Sequence, residues 1–484
     1  MHRQCFGKRT PEKLNPPLIP LTTPPVPRTT RPVITIVGGG FAGTTLALQL
    51  CRQPKLAEAE IHLIEPRESP GPGLAYTARR HEYLLNVRPS VLSLYPQEPA
   101  HFTNWLAQQP ESLGGAPEFA SRSAYGRYLR EELATVLAPA AGAAGVQWHR
   151  TTAVAAPLRP DGRRAVQLAT GRPIISQSVV LALGNFPPPP PAGPDLRYLT
   201  HPGYHADPWA AGNLRRIGPT ETVLLIGSGL TAIDVLLALR QDGHQQPITV
   251  VSRHGRWPAA HEPASAPYPN FYAALAHETT VNGAVAAFKR ELRAATAQGI
   301  GWQPVLDALR PDLGRIWAQW PLAEQHRFLQ HLAGLWAVGR HRSPPQNARA
   351  VASLTAAGLV RLHLGTVREI IAEGNLLRVR VGPRGEANSW LTAQHVINCA
   401  GPLLDYARIA DPLVVSLREA GHLCPDPLHL GILTDENGAL LEDDGTPAPG
   451  LYTLGSSRRP AYFESTAVPE LRKQAVALAA HLAL

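Results

Sequence analysis

Residues 33–37, VITIV, form a short apolar run, followed by three glycines and an apolar stretch that reads as a helix over 41–52. Four apolar residues around Thr35, without alternation, predict a strand covered on both faces. The next strand, EIHLI at 60–64, ends at Glu65. The whole arrangement recurs over 222–253, where VLLI leads into a glycine turn, an apolar helix and the strand ITVVS. Helical spacing predicts helices over 101–109 and 122–137. Between 146 and 183, short β-type runs with PDG and ATG turns predict a meander that leads into SVVLALG, 178–184. The stretch 71–90 has no period and reads as a loop. Residues 277–342 are rich in helix formers and hold Trp302, Trp317, Trp320 and Trp336, whose expected place is a helical core. From 359 the pattern returns to strands, ending in HVINCAG at 395–401. A last strand, GLYTLG at 450–455, precedes a helix over 468–483.

The glycine turns give this order its meaning. Gly38, Gly40 and Gly43 have G-x-G-x-x-G spacing, directly after a strand and opening a helix. The first glycine permits the tight turn, the second lets a pyrophosphate reach the backbone, and the third lets helix and strand pack closely. Glu65, at the end of the next strand, stands where a carboxylate would take ribose hydroxyls. In the second unit Gly227, Gly229 and Ala232 supply the turn, but the next strand ends in Ser252 and Arg253. A hydroxyl and a guanidinium suit a 2′-phosphate, which predicts NADPH there. Arg253 as an ordinary solvated arginine is the alternative.

The predicted fold class is therefore α/β, with two dinucleotide-binding, Rossmann-like domains and a helical middle region. The NADPH domain, 216–389 with its helical insertion at about 277–342, interrupts an FAD domain made of 33–215 and 390–484. Residues 1–32 hold eight prolines and read as a disordered proline-rich tail, or as start-site slack. NFPPPPPAG, 185–193, favours a stiff polyproline spacer between domains, with a proline-recognition motif as the alternative.

Composition narrows the partners. The net charge of +9 comes mostly from scattered arginines, without the basic block that marks a nucleic-acid surface. The excess favours anionic ligands. Cys5, Cys51, Cys399 and Cys424 form no C-x-x-C pair and no zinc spacing, so neither a dithiol centre nor a metal site is expected, and a reducing cytoplasm is the expected compartment. No apolar window of about 18 residues predicts a membrane span. The pattern fixes no oligomeric state.

GLAYTARRHEYLLNVRPS, VINCAGP and ESTAVPELRKQA together resemble the FAD/NAD(P)-binding proteins of the NAD(P)-binding 9 type, and WAVGRHRSPP and GWQPVLDALRP resemble that family's middle region. The resemblance covers about 33 to 482. Its better understood relatives are N-hydroxylating flavin monooxygenases, including aspartate-oxidising, nitrosuccinate-forming enzymes. The layout is also similar to ornithine and lysine N-hydroxylases, in which NADPH reduces FAD and oxygen is then passed to an amine. The resemblance implies FAD phosphates at Gly38, Gly40 and Gly43, ribose at Glu65, the flavin ring beside Asn86, adenine at the backbone of Val154, and turns at Gly184 and Gly455. Ser456 stands where many flavoproteins have aspartate, and the Baeyer–Villiger fingerprint is missing around 200–209.

At ESTAVPELRKQA, Ser465 or Thr466 would cap a helix whose first turn holds Pro469 and Glu470, its positive end facing the flavin. Arg340, His341 and Arg342 are the candidates for gripping an anionic substrate, the alternative being helix-end capping or cofactor phosphates. His81, His254 and His261 are weaker candidates for proton transfer. The expected activity is an FAD-dependent, NADPH-reduced monooxygenase hydroxylating an amine or amino acid with molecular oxygen. A flavin reductase or oxidase without oxygen insertion and a non-catalytic sensor are the alternatives.

Overall fold

The computed structural model describes residues 31–77, 80, 82–109, 118–139, 144–191, 193–210, 212–263, 266–382 and 389–484. The expected tail and His81 thus lie outside the described residues, apart from Arg31 and Pro32. Residues 32–484 form one compact unit.

Two sheets organise it. The first runs Ala439–Leu441, Pro447–Thr453, Ser178–Leu181, Val33–Val37, Glu60–Ile64, Val146–His149, parallel except for its first strand. Val33–Val37 is central and almost wholly buried, as its apolar run without alternation requires. Helix Phe41–Cys51 packs against helix Val468–Leu482, so the C-terminus completes the unit that the N-terminal strand begins.

The second sheet is parallel throughout: Val360–Leu364, Ile248–Ser252, Val223–Ile226, His395–Asn398, Tyr204–His205. Two of these strands fall outside the expected 216–389. Tyr204–His205 and His395–Asn398 are hydrogen-bonded into this sheet, because Ile226 and Leu225 offer the ladder partners for Asn398 and Ile397, and Ile397 in turn pairs His205. Their buried apolar residues share cores with helix Leu230–Gln241 and with the antiparallel strands Thr366–Glu373, Leu376–Gly382 and Ser389–Ala393. The proline run crosses between the sheets, and Pro189 accepts a hydrogen bond from the Asn398 side chain.

The helices Val281–Ala297, Trp302–Ala308, Leu313–Ala318, Leu322–His331 and Ala333–Arg340 follow the predicted helical stretch closely. Trp317 stacks on Phe463, and Trp320 and Phe328 join the same core, so this bundle packs against the segment that precedes the last helix.

Candidate cofactor and substrate cleft

The first glycine turn is sterically closed to anything larger than hydrogen. Gly38 has φ +108°, and a Cβ there would lie 2.2 Å from the Ala182 carbonyl oxygen; one on Gly43 would lie 1.9 Å from that of Gly38. Gly40 caps helix Phe41–Cys51 without any side-chain hydrogen bond, which leaves the helix's first N–H groups to an incoming phosphate. Glu65 is buried beside the turn: Oε2 accepts from the Gly39 N–H at 2.9 Å and Oε1 from the Arg67 N–H at 3.0 Å. Oε1 also accepts from Arg67 Nη1 at 3.4 Å, so Oε2 is the oxygen that keeps a lone pair for a hydroxyl donor.

Gly455, at φ +103°, follows strand Pro447–Thr453. Its N–H donates to the Gln474 side chain and its carbonyl accepts from the Ser465 hydroxyl, which itself accepts from Gln474. The Ser456 hydroxyl donates to the Gly184 carbonyl at 2.8 Å, tying together the two turns that the sequence singled out. Val154 sits at an irregularity of the strand pair Ala153–Ala155 and Arg164–Leu168. Neither Ser465 nor Thr466 caps the last helix: its N-cap is Ala467, with no side-chain bond, since the Ser465 hydroxyl is already engaged by Gly455 and Gln474. Pro469 and Glu470 do lie in its first turn.

The second turn is built alike and left more open. Gly227 has φ +104°, and Ala232 is buried in the helix behind it, whereas a Cβ on Gly229 would meet nothing within 4 Å. The Ser252 and Ser228 hydroxyls are hydrogen-bonded at 2.7 Å. Arg253 is exposed, as is Arg256, and neither side chain has an ion pair among the described residues. Arg256 was not among the expected residues, although it stands three positions beyond Arg253 in SRHGR.

A cleft of about 690 Å³ opens at the second turn; Gly38, Gly40, Gly43, Glu65 and Gly455 do not line it. It is lined by Gly229, Ser252, Arg253 and Arg256 from the second sheet's side, by Asn86 and Thr466 from the first, and by Arg340 and His341 from the helical bundle. Asn86 is anchored through its backbone carbonyl, which accepts from His261 Nε2 at 2.9 Å. His261 is thus a strut, with its pKa held down chiefly by burial.

Arg342 does not join Arg340 and His341. Its guanidinium grips the Asp307 carboxylate at 2.8 and 2.9 Å, and Nε donates to the Gly339 carbonyl. Asp307, 35 positions earlier, supplies the carboxylate that the sequence reading assigned to a substrate. Sequence reasoning missed Glu464 and Arg459, which also line the cleft, and Arg310 behind them. The first two lie just before and within YFES, one of the motif's edges.

Residues 35–186 match the family described as FAD-NAD(P)-binding. Over 237 residues the chain is 30% identical to the nitrosuccinic acid synthase of Aspergillus oryzae, covering 44% of this chain and 36% of that protein. It is 26% identical over 255 residues to the nitrosuccinate-forming L-aspartate N-monooxygenase of Streptomyces davaonensis, covering 43% and 38%. The match therefore spans little more than a third of the length of these curated relatives. In fold, the chain is similar to an ornithine N-hydroxylase of Kutzneria sp. 744, solved with reduced FAD, NADP+ and L-ornithine. That likeness has TM-score 0.63 at 14% identity, over 94% of this chain and 99% of that one. Over residues 35–186 this chain carries the FAD-NAD(P)-binding family's signature, on a fold shared with that hydroxylase.

Proposed function

We propose that this protein is an FAD-dependent, NADPH-reduced monooxygenase that hydroxylates the nitrogen of a small amine or amino acid. The observation that carries the reading is that the second glycine turn lines a cleft whose far wall is carried by the unit of the first turn. Gly229, Ser252 and Arg253 face it from one sheet, Asn86 and Thr466 from the other. Two dinucleotides seated on those turns would meet there.

The residues present fit both groups. Gly38, Gly40 and Gly43 leave room for a pyrophosphate at an uncapped helix start, and Glu65 offers Oε2 as an acceptor to a ribose. Arg253 and Arg256 present two unpaired guanidinium groups to a 2′-phosphate, while the Ser252 hydroxyl donates to Ser228, which itself donates to the Arg256 carbonyl. Bound FAD supplies the electron storage and oxygen activation that no side chain offers. The chain's own work is to orient and polarise. Helix Val468–Leu482 begins at the cleft with free N–H groups, which stabilises negative charge at its start. Asn86, held by His261, fixes the opposite wall. Arg340 and His341 face a substrate.

Oxygen and an anionic small molecule are the partners this reading requires, and the reducing cytoplasm suits it, since Cys51, Cys399 and Cys424 are all free thiols. The test mixes the flavin-loaded protein with NADPH without oxygen, then adds labelled oxygen and candidate amino acids. Bleaching of the flavin followed by label in an N-hydroxylated product supports the reading. Quantitative peroxide release with every amino acid tried would replace it with an oxidase.

A further inference from the structure

Helix Leu230–Gln241 starts at the second glycine turn: Gly229 is its N-cap and makes no side-chain hydrogen bond. A nucleotide phosphate on that turn takes its direction from the helix's free N–H groups. Two arginines from the unit of the first turn grip this helix, one toward each end. Arg122 opens helix Arg122–Leu137, which packs on helix Phe41–Cys51, and brings Nη2 to 3.3 Å from Asp234 Oδ2. Arg80 donates from Nη1 at 3.0 Å to Oδ1 of Asp242, the helix's C-cap, and from Nη2 to Oδ2. Between the two, Tyr83 enters the core of the second unit and sets its ring edge-on to Trp209, centroids 5.4 Å apart.

The two grips differ in kind. Arg80 also serves Glu82, and its pair with Asp242 is partly exposed, so that grip is the weaker one. Arg122 and Asp234 meet inside, with side chains 15% and 4% exposed. Burial pushes the Asp234 carboxyl up to about 6, against the pull of Arg122. Its other ionisable neighbours are Cys399, beyond the end of strand His395–Asn398, and Tyr83, both pushed up chiefly by their own burial. The Arg122 Nε has no partner among the described residues, and its guanidinium lies 5.8 Å from the Trp209 ring centre. Stability alone does not call for such a pair, because apolar residues of similar volume often serve as well or better. Its place does: Arg122 lines the cleft together with Gly229, Leu230 and Thr231, the start of the helix that it holds.

We propose that Arg122 and Asp234 are positioning residues for hydride transfer, fixing the angle at which the second turn presents a nicotinamide to the flavin. The proposal rests on the hydroxylase reading and adds the element that aligns its two rings. Reacting atoms must come within about 3–3.5 Å, and a misplacement of about 1 Å costs on the order of a hundred-fold in rate. A neutral Asp234 lets go of Arg122. The alignment is therefore present above about pH 6 and lost as pH falls below it.

The test has two readouts on the flavin-loaded protein: the limiting rate of anaerobic reduction by NADPH across the interval around pH 6, and the change in the flavin spectrum when NADP+ binds. In the wild type the limiting rate is expected to fall about ten-fold on the acid side of an inflection near 6, while the Kd for NADPH stays within about three-fold. Asp234→Asn, which imitates the protonated acid, should show the low rate at every pH and no inflection. NADP+ should still bind it by calorimetry, yet leave the flavin spectrum unchanged. Should Asp234→Asn fail to fold, Arg122→Met combined with Asp234→Leu, which leaves no buried charge behind, carries the comparison. An inflection kept in Asp234→Asn, or an apolar pair that reduces its flavin and shifts its spectrum like the wild type, would overturn the positioning role. A wild-type flavin that NADPH does not reduce at any pH would defeat the hydroxylase reading instead. The spectral response to NADP+, kept or lost in the variants, would then still decide the role of the pair.

Discussion

Two turns with the same backbone plan have been furnished differently. At the first, a buried acid closes the turn: Glu65 is 3% exposed and already bonded to the Gly39 N–H. At the second, the corresponding strand ends in a hydroxyl, Ser252, with two exposed arginines beyond it. The glycines differ as well. A Cβ on Gly38 would lie 2.2 Å from a backbone carbonyl oxygen and one on Gly227 2.9 Å, while one on Gly40 would meet Gly73 at 3.4 Å and one on Gly229 nothing within 4 Å. On the proposed reading the first site holds the resident flavin and the second an exchanging nicotinamide. A tightly kept flavin and an exchanging nicotinamide need that asymmetry, and substitutions can break or sharpen it.

The largest effect is expected at Gly38. In Gly38→Ala the methyl would meet the Ala182 carbonyl, and the residue would be forced to hold φ +108°. Strain of about 1–3 kcal/mol from the backbone alone, with the clash added, predicts a colourless, destabilised protein. Absorbance of the purified variant and its denaturant midpoint check this.

A second contrast lies at the sheets' imidazole pairs, His62 with His149 in the first and His205 with His395 in the second, each 3.0 Å apart. In the second, His395 continues to Glu221 at 2.9 Å. Burial first, then His395 and Arg216, lowers the His205 pKa from its ordinary 6.5 to about 4. A depressed histidine pKa means that the fold prefers the neutral ring. Its contribution is therefore fully present above about pH 6.5 and lost as pH falls toward 4. The loss is on the order of 3 kcal/mol. His205→Asn is expected to flatten that part of the stability–pH curve, measured by urea unfolding across the interval.

Next comes cofactor choice. Replacing Arg253 and Arg256 together by serine removes both charges offered to a 2′-phosphate. The kcat/KM for NADPH should fall by about 30-fold while that for NADH stays within about two-fold, a difference of roughly 2 kcal/mol. Steady-state reduction with each nucleotide reads this directly. An equal loss for both nucleotides would remove the phosphate assignment. The smallest effect on the fold belongs to Gly229→Ala. With nothing near the added methyl, stability should change by no more than about 0.5 kcal/mol, while the KM for NADPH rises because the phosphate's approach narrows.

Much of this was legible from the chain. Apolar runs without alternation marked the central strands, and glycine spacing marked the turns, because burial and φ > 0 leave local traces. The helical bundle was legible through its tryptophans. Sheet membership was less so: Tyr204–His205 and His395–Asn398 pair across about 190 positions, and nothing local says which sheet a short strand joins. The same limit explains Arg342, whose partner Asp307 is remote in sequence. Ser465 illustrates the reverse case, a good capping residue drawn away by Gly455.

The central claim is that electrons pass from a nicotinamide on the second turn to a flavin held by the first, at the cleft that the second turn lines. Anaerobic stopped-flow reduction of the flavin-loaded protein tests it most directly. Rapid bleaching by NADPH, saturating with nucleotide concentration and much slower with NADH, is the predicted result. A flavin that neither nucleotide bleaches would contradict it.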